Sequence, residues 1–305
     1  MKHFGRIIGL TLLAAIAAVV MTACGTKKAV TDTTSSKPIH VAASVDFYGQ
    51  VAQAVLGDHG TVNSIINSPS VDPHNFEPTT KDGQTVSKAN VVLANGIGYD
   101  NWMTKLAKSN GNGKQTVVKV GENVLNKRVG DNEHVWYQPE TMPKLANYLA
   151  DKFGKIAPKY KKDYQRNAQH YIKSLQPLQT EIDQLKAKSN GQKVDVSEPV
   201  FDYALDALGY QRNNHKFELA VENGTDPSPK EIRSMETDIK QHKIAFFVNN
   251  SQASDKTVSA MVALAKKNQV PVLNVTETLP KGKTYEAWMM DQYQALAKIQ
   301  NQIHQ

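Results

Sequence analysis

Residues Pro158–Asn190, PKYKKDYQRNAQHYIKSLQPLQTEIDQLKAKSN, decide how the chain is organised. Their apolar positions are Tyr160, Tyr164, Ala168, Tyr171, Leu175, Leu178, Ile182 and Leu185. Steps of four and three describe one face of a long helix. At about 1.5 Å per residue, such a helix spans roughly 45 Å, the length of a whole lobe. Pro158 suits its first turn, Asn190-Gly191 suits its end, and Pro177 should kink it. The stripe of tyrosine and leucine reads as packing rather than as an aromatic binding site. A helix of this length is a stiff strut, and a strut leaves little room for wide hinge opening.

On both sides of the strut, short β-branched runs alternate with helical patterns. On the N-terminal side, IHVAASV, TVNSII, NVVLANG and QTVVKV read as strands, with DFYGQVAQAVLG and TKDGQTVSKA as helices. On the C-terminal side, KVDVS, KFELAV, KIAFFVNN and VPVLNV read as strands. EPVFDYALDALGY, SPKEIRSMETDIKQH, DKTVSAMVALAKKNQ and YEAWMMDQYQALAKIQNQI read as helices. Ser228 caps the second of these helices, with Pro229 in its first position. Strands separated by helices pair in parallel through crossovers. The expected fold is α/β: an N-terminal lobe over residues 38–157, the linker helix over 158–190 and a C-terminal lobe over 191–305. Each lobe is a parallel sheet flanked by helices.

The first 37 residues lie outside this pattern. Lys2 and Arg6 precede the apolar run IIGLTLLAAIAAVVM, and small residues lead to Cys24 in MTACG. Charged, apolar and small segments in that order read as a secretory signal over residues 1–23, and the run is short for a membrane span. GTKKAVTDTTSSKP then has the polar, small composition of a flexible tether, residues 24–37. Cys24 is the only cysteine, so no internal disulfide can form. Without residues 1–23 the chain keeps 34 basic and 29 acidic residues, a net charge of +5. The basic residues are scattered along helical faces, and no basic motif with interleaved aromatics speaks for nucleic acid.

The candidate chemistry lies just after strands. VDPHNFEPTT holds His74 between Pro73 and Pro78, which stiffen the segment against both helix and sheet. His134 follows the TVVKV strand, Glu198 follows KVDVS directly and Glu277 follows VPVLNV directly. In open α/β sheets, ligands gather beyond the carboxyl ends of strands, so two ligands per lobe would converge on the cleft between lobes. Two imidazoles with two carboxylates suit Mn(II), Fe(II) or Zn(II) rather than Cu(I). Glu77 reads as an acid supporting the site or starting the next helix rather than as a ligand. Asp72 and Asp131 read as loop acids, and His40, His59 and His215 as surface groups. Trp102, Trp136 and Trp288 read as core or cleft wall.

Four motifs in register make a resemblance specific. DPHNFEPT, EHVWYQP, SEPVFDYALDALGY and VTETLPKGKTYEAWM are similar to the four metal-site regions of the zinc- and manganese-binding solute-binding lipoproteins of bacterial ABC transporters. The match runs in order through residues 38–305. The resemblance implies a metal held by His74, His134, Glu198 and Glu277. Many members carry aspartate at the last position, one methylene shorter than Glu277. TAC before Gly25 resembles the lipoprotein cleavage box, which would make Cys24 the lipid-bearing residue and tie the exported protein to the outer face of the bacterial cytoplasmic membrane. The implied partners are a permease and its ATPase. The chain is expected to act as a monomer that captures one Mn(II) or Zn(II), with Fe(II) also suited, and to have no catalytic activity. No histidine-rich loop precedes His134, which leans the expectation toward manganese. A surface adhesin is the alternative role, although no residue pattern names a host target. A zinc hydrolase is the remoter one: no H-E-x-x-H occurs, and four protein ligands leave little room for an activated water.

Overall fold

A computed structural model describes residues 37–111, 113–252 and 255–303. The secretory segment, most of the tether and Cys24 lie outside the described residues. The first sheet holds β1 (Ile39–Val45), β2 (Gly60–Ile66), β3 (Val91–Ala94) and β4 (Thr116–Lys119) in the order β2-β1-β3-β4. All its pairings are parallel, with Val41 opposite Val62 on one side and Val91 on the other. Helices α1 (Asp46–Leu56), α2 (Thr80–Lys88) and α3 (Asn101–Asn110) make the crossovers. Because crossover helices cover both faces, the central strands are apolar almost without interruption: β3 is buried at every position. Thr79 caps α2 in a reciprocal box with Asp82. Glu77 therefore stays outside the helix and is exposed.

The second sheet repeats this order as β6-β5-β7-β8, again parallel. Its strands are β5 (Lys193–Val196), β6 (Gln211–Arg212), β7 (Phe247–Asn250) and β8 (Val272–Val275). Between the sheets run α4 (Thr141–Ile156), α5 (Lys161–Ser174) and α6 (Gln176–Ser189). The second lobe adds α7 (Asp202–Leu208), α8 (His215–Glu222), α9 (Pro229–Lys240), α10 (Lys256–Lys267) and α11 (Tyr285–Ile303). The Ser228 cap forms, with Glu231 completing the box. Two parallel α/β lobes are thus the architecture, and one apolar core runs from Ile39 through Trp136 and Leu205 to Leu296.

The linker is helical but divided. Pro177 lacks the N–H that would reach the Lys173 carbonyl, and the helix breaks at Leu175 between α5 and α6. The two halves belong to different lobes. α5 packs on α1 and α4, where Asn167 Nδ2 donates to the Val55 carbonyl at 3.2 Å. α6 packs on α7 and α11, where Gln300 Nε2 donates to the Leu185 carbonyl at 2.8 Å. His59, expected at the surface, serves this seam. It stacks on Tyr160 at 3.8 Å and pairs with Asp163 at 3.0 Å. The docking of α5 was invisible from the residues around His59.

One element differs in type. KFELAV, expected as a strand from the alternation of Phe217, Leu219 and Val221, is the body of α8. A strand would put those three side chains on one face, yet Phe217 is fully buried while Leu219 is 38% exposed. Helical geometry instead buries Phe217 against Met235, Ile239 and Phe247, and turns Glu218 inward beside His215. The difference matters because it changes where Glu222 points.

Candidate metal centre

The four expected ligands each follow a strand of their sheet. After β2, the loop to α2 is set by its own hydrogen bonds. Asp72 accepts from the His74 amide at 2.8 Å and from Asn75 Nδ2 at 2.7 Å, and Trp102 Nε1 donates to the Pro73 carbonyl at 3.2 Å. Asp72 is thus a turn-forming loop acid, as the sequence suggests. His74 faces a carboxylate with each ring nitrogen. Nδ1 is 3.4 Å from Glu133 Oε1 and Nε2 is 3.3 Å from Glu277 Oε1.

After β4, the chain passes through a π-type turn and reaches His134, which is wholly buried. The ring packs edge-on to Trp136 at 5.2 Å, and Tyr99 lies edge-on to both His74 and His134. His134 Nδ1 is 2.8 Å from Asn132 Oδ1, an oxygen that can only accept. Nδ1 therefore carries the proton and Nε2 keeps its lone pair. That Nε2 is buried and has no hydrogen-bond partner among the described residues.

In the second lobe, Glu198 precedes Pro199 in extended geometry and accepts from Asn250 Nδ2 at 2.7 Å. Glu277 follows β8, its amide donating to Gln252 Oε1 at 2.7 Å. Gln252 Nε2 reaches across the cleft to the Pro69 carbonyl at 2.7 Å. Further bonds hold the lobes together around the site. Asn132 Nδ2 donates to the Pro199 carbonyl at 2.8 Å, Tyr203 Oη to the Asn132 carbonyl at 2.9 Å and Tyr285 Oη to the Trp136 carbonyl at 2.6 Å. Between the lobes is a cleft of about 400 Å³ whose walls include His74, Glu198, Glu222 and Glu277.

Of the four residues expected as ligands, His74 and Glu277 touch, and Glu198 lines the same cleft. His134 meets it through a residue the sequence left unmarked: its Nε2 is 3.9 Å from Glu222 Oε1. Ligand atoms of His74, His134 and Glu222 lie within 4.8 Å of one another, a compact trio that could hold a metal ion. Glu222 went unmarked because a strand at KFELAV would not carry it into the cleft. Glu133, beside His134 in the sequence, was also passed over. A carboxylate adjacent to a ligand histidine was the signal for it.

The electrostatics are those of an acid-rich cleft in which His134 is wholly buried and His74 is exposed. Burial disfavours charge on His74, but Glu277, Glu133 and Glu222 outweigh it and lift its pKa to about 9. Burial dominates at His134 and lowers its pKa to about 4, so that ring is neutral at ordinary pH. Burial raises Glu222 to about 8, helped by Glu198, Glu133 and Glu277, and it also raises Glu133 and Glu198. Glu277 goes the other way: burial opposes its charge, but the neighbouring histidines hold it below the ordinary carboxylate value. A divalent cation fits this set. It would use the lone pair of His134 Nε2 and neutralise carboxylates gathered around His74.

Comparisons with known proteins agree. The manganese ABC transporter substrate-binding lipoprotein PsaA of Streptococcus pneumoniae is 25% identical over 299 residues, covering 92% of this chain and 95% of that protein. The iron-binding protein YfeA of Yersinia pestis is 26% identical, covering 83% of this chain and 82% of that one. The solved structure of the periplasmic zinc binding protein TroA from Treponema pallidum shares the fold. Its TM-score is 0.70 at 17% identity, over 87% of this chain and 99% of that chain. The family model for ZnuA, the periplasmic component A of a zinc-uptake complex, matches residues 41–299 and so takes in both sheets and every group of the cleft; the chain belongs to that family.

Proposed function

We propose that this protein is the extracytoplasmic metal-binding component of an ABC transporter. It captures one divalent transition metal ion, manganese or zinc, and hands it to a membrane permease driven by its ATPase. His74, His134, Glu198 and Glu277 are the proposed ligands. The observation that carries this reading is the bare Nε2 of the wholly buried His134, beside an acid-lined cleft. A buried imidazole nitrogen with no partner is costly unless something binds it. Fe(II) suits the same donors. The role is binding rather than catalysis: four protein donors from two lobes enclose an ion more readily than they expose it to a reacting water.

The direct test is elemental analysis of protein purified without added metal and after loading with Mn(II) or Zn(II). One ion per molecule is expected, and competition between the two metals then ranks them. A chain that retains neither metal after loading would overturn the assignment.

We infer further that the protein is exported as a monomer and held at the outer face of the cytoplasmic membrane by lipid on Cys24. Two acyl-type chains hold a domain stably where one does not. Cys24→Ser should move the protein from the membrane fraction to the soluble one and leave the metal affinity of the folded domain unchanged. Lipid-dependent membrane retention of the Cys24→Ser protein would rule the anchor out.

A further inference from the structure

We propose that Glu222 is a fifth protein donor to the metal and sets the preference for Mn(II) over Zn(II). This rests on the metal-binding reading above and extends its ligand set. Three observations carry it. The first is distance: Glu222, His74 and His134 form the compact trio, and Glu222 Oε1 is the carboxylate oxygen beside the orphaned Nε2 of His134.

The second is topological. The strand orders β2-β1-β3-β4 and β6-β5-β7-β8 match element for element. His134, after β4, then corresponds to Glu277, after β8. The segment after β2 delivers His74, and its counterpart after β6 delivers Glu222. Both donors of the first lobe thus have positional equivalents in the second, and Glu222 occupies the place that His74 holds.

The third is the local cost of putting an acid there. Glu222 is the last residue of α8, where the helix macrodipole opposes negative charge. It also shares the cleft with Glu198 and Glu277. Meanwhile α8 is firmly held: Phe217 is buried in an apolar cluster, and the Asn214 side chain bonds both the amide and the carbonyl of Val196. A carboxylate fixed at an unfavourable helix end among other carboxylates has a use if a cation joins them.

Coordination number is what makes this a specificity device. Zn(II) is satisfied by four donors in a tetrahedron. Mn(II) favours carboxylate oxygen and more of it. Two imidazoles and three carboxylates exceed what Zn(II) needs and approach what Mn(II) prefers.

The test uses Co(II) as a spectroscopic probe, with Mn(II) and Zn(II) in competition titrations, on the wild-type protein and on Glu222→Gln, Glu222→Asp and His134→Ala. Wild-type protein with Co(II) should show the weak visible absorption of a five- or six-coordinate ion. Glu222→Gln should show the intense bands of a four-coordinate one. Mn(II) affinity should fall about 100-fold in Glu222→Gln and Zn(II) affinity less than about 10-fold, against a range of about 10–100-fold for losing a carboxylate that supports a metal site. Glu222→Asp keeps the charge but withdraws the oxygen, so it should move toward Glu222→Gln in both readouts. An unchanged Co(II) spectrum with an unchanged Mn-to-Zn ratio in Glu222→Gln would overturn the proposal. So would a Glu222→Asp protein identical to wild type, which would leave Glu222 only a charge. His134→Ala separates the two levels: wild-type binding there defeats the whole site, whereas lost binding there with an unmoved Glu222→Gln defeats the fifth donor alone.

Discussion

Replacing His134 with alanine should lower the affinity for Mn(II) and Zn(II) by at least ~100-fold while leaving the fold intact. A four-ligand zinc site is worth about 10–16 kcal/mol, or roughly 3 kcal/mol per ligand, which corresponds to that factor. His134 should stand at or above this average because nothing has to be arranged before it binds. Asn132 fixes the tautomer, Trp136 and Tyr99 fix the ring, and burial keeps it neutral. Truncation opens a small cavity but also removes a buried nitrogen that lacks a partner, so the two stability effects oppose each other. Competition titration measures the affinity, and circular dichroism with thermal melting checks the fold. Wild-type affinity in a folded His134→Ala protein, and likewise in His74→Ala, would remove both histidines from the site.

Acidification should release the metal steeply. In the metal-free cleft His74 titrates near 9 and Glu222 near 8, so at neutral pH both carry a proton. A metal needs the neutral imidazole, and a dication beside Glu222 favours its ionised form, so binding expels protons. The sign follows directly: the proton-bound state competes with the metal, and affinity falls as pH falls. One displaced proton gives about a tenfold loss per pH unit, and two give about a hundredfold. The two-proton slope should hold below about pH 8, ease to one proton between about 8 and 9, and flatten above. His134 adds nothing until about pH 4, where it begins to protonate. Titrations from pH 6 to 9 give the slope, and calorimetry in buffers of different ionisation enthalpy counts the protons. An affinity flat from pH 6 to 8 would contradict the argument.

The lobes were legible in the sequence because their strands are short, β-branched and punctuated by glycine and proline, and because helix and strand periods differ. β1, β3 and β8 followed from such runs, as did the capped start of α9 at Ser228. The positions of His74, Glu198 and Glu277 at strand exits were legible for the same reason. What stayed hidden depends on tertiary packing. The alternation of Phe217, Leu219 and Val221 mimics a strand, and only the apolar cluster around Met235 and Ile239 makes the segment a helix. With that misread, Glu222 had no route to the cleft. The contact of Glu133 with His74 joins segments some sixty residues apart, and no local pattern reports it. Pro177 announced the break in the linker, but not that α5 and α6 are each bound into a different lobe.

The two halves of the cleft differ in electrical character. Among the proposed donors the first lobe offers imidazole nitrogen, with Glu133 behind His74, while Glu198, Glu222 and Glu277 all come from the second. A dication drawn between such halves does not leave both at the same rate. Neutral donors hold it through short bonds that vanish within a fraction of an ångström, whereas anionic donors attract it over a distance set by screening. Parting the lobes at the Leu175 break would therefore strip the histidines first and strand the ion on the carboxylate side. There water can replace the lost nitrogen, and a hydrated, loosely held ion exchanges quickly. On the proposed ligand set, the second lobe would be the face from which the ion departs.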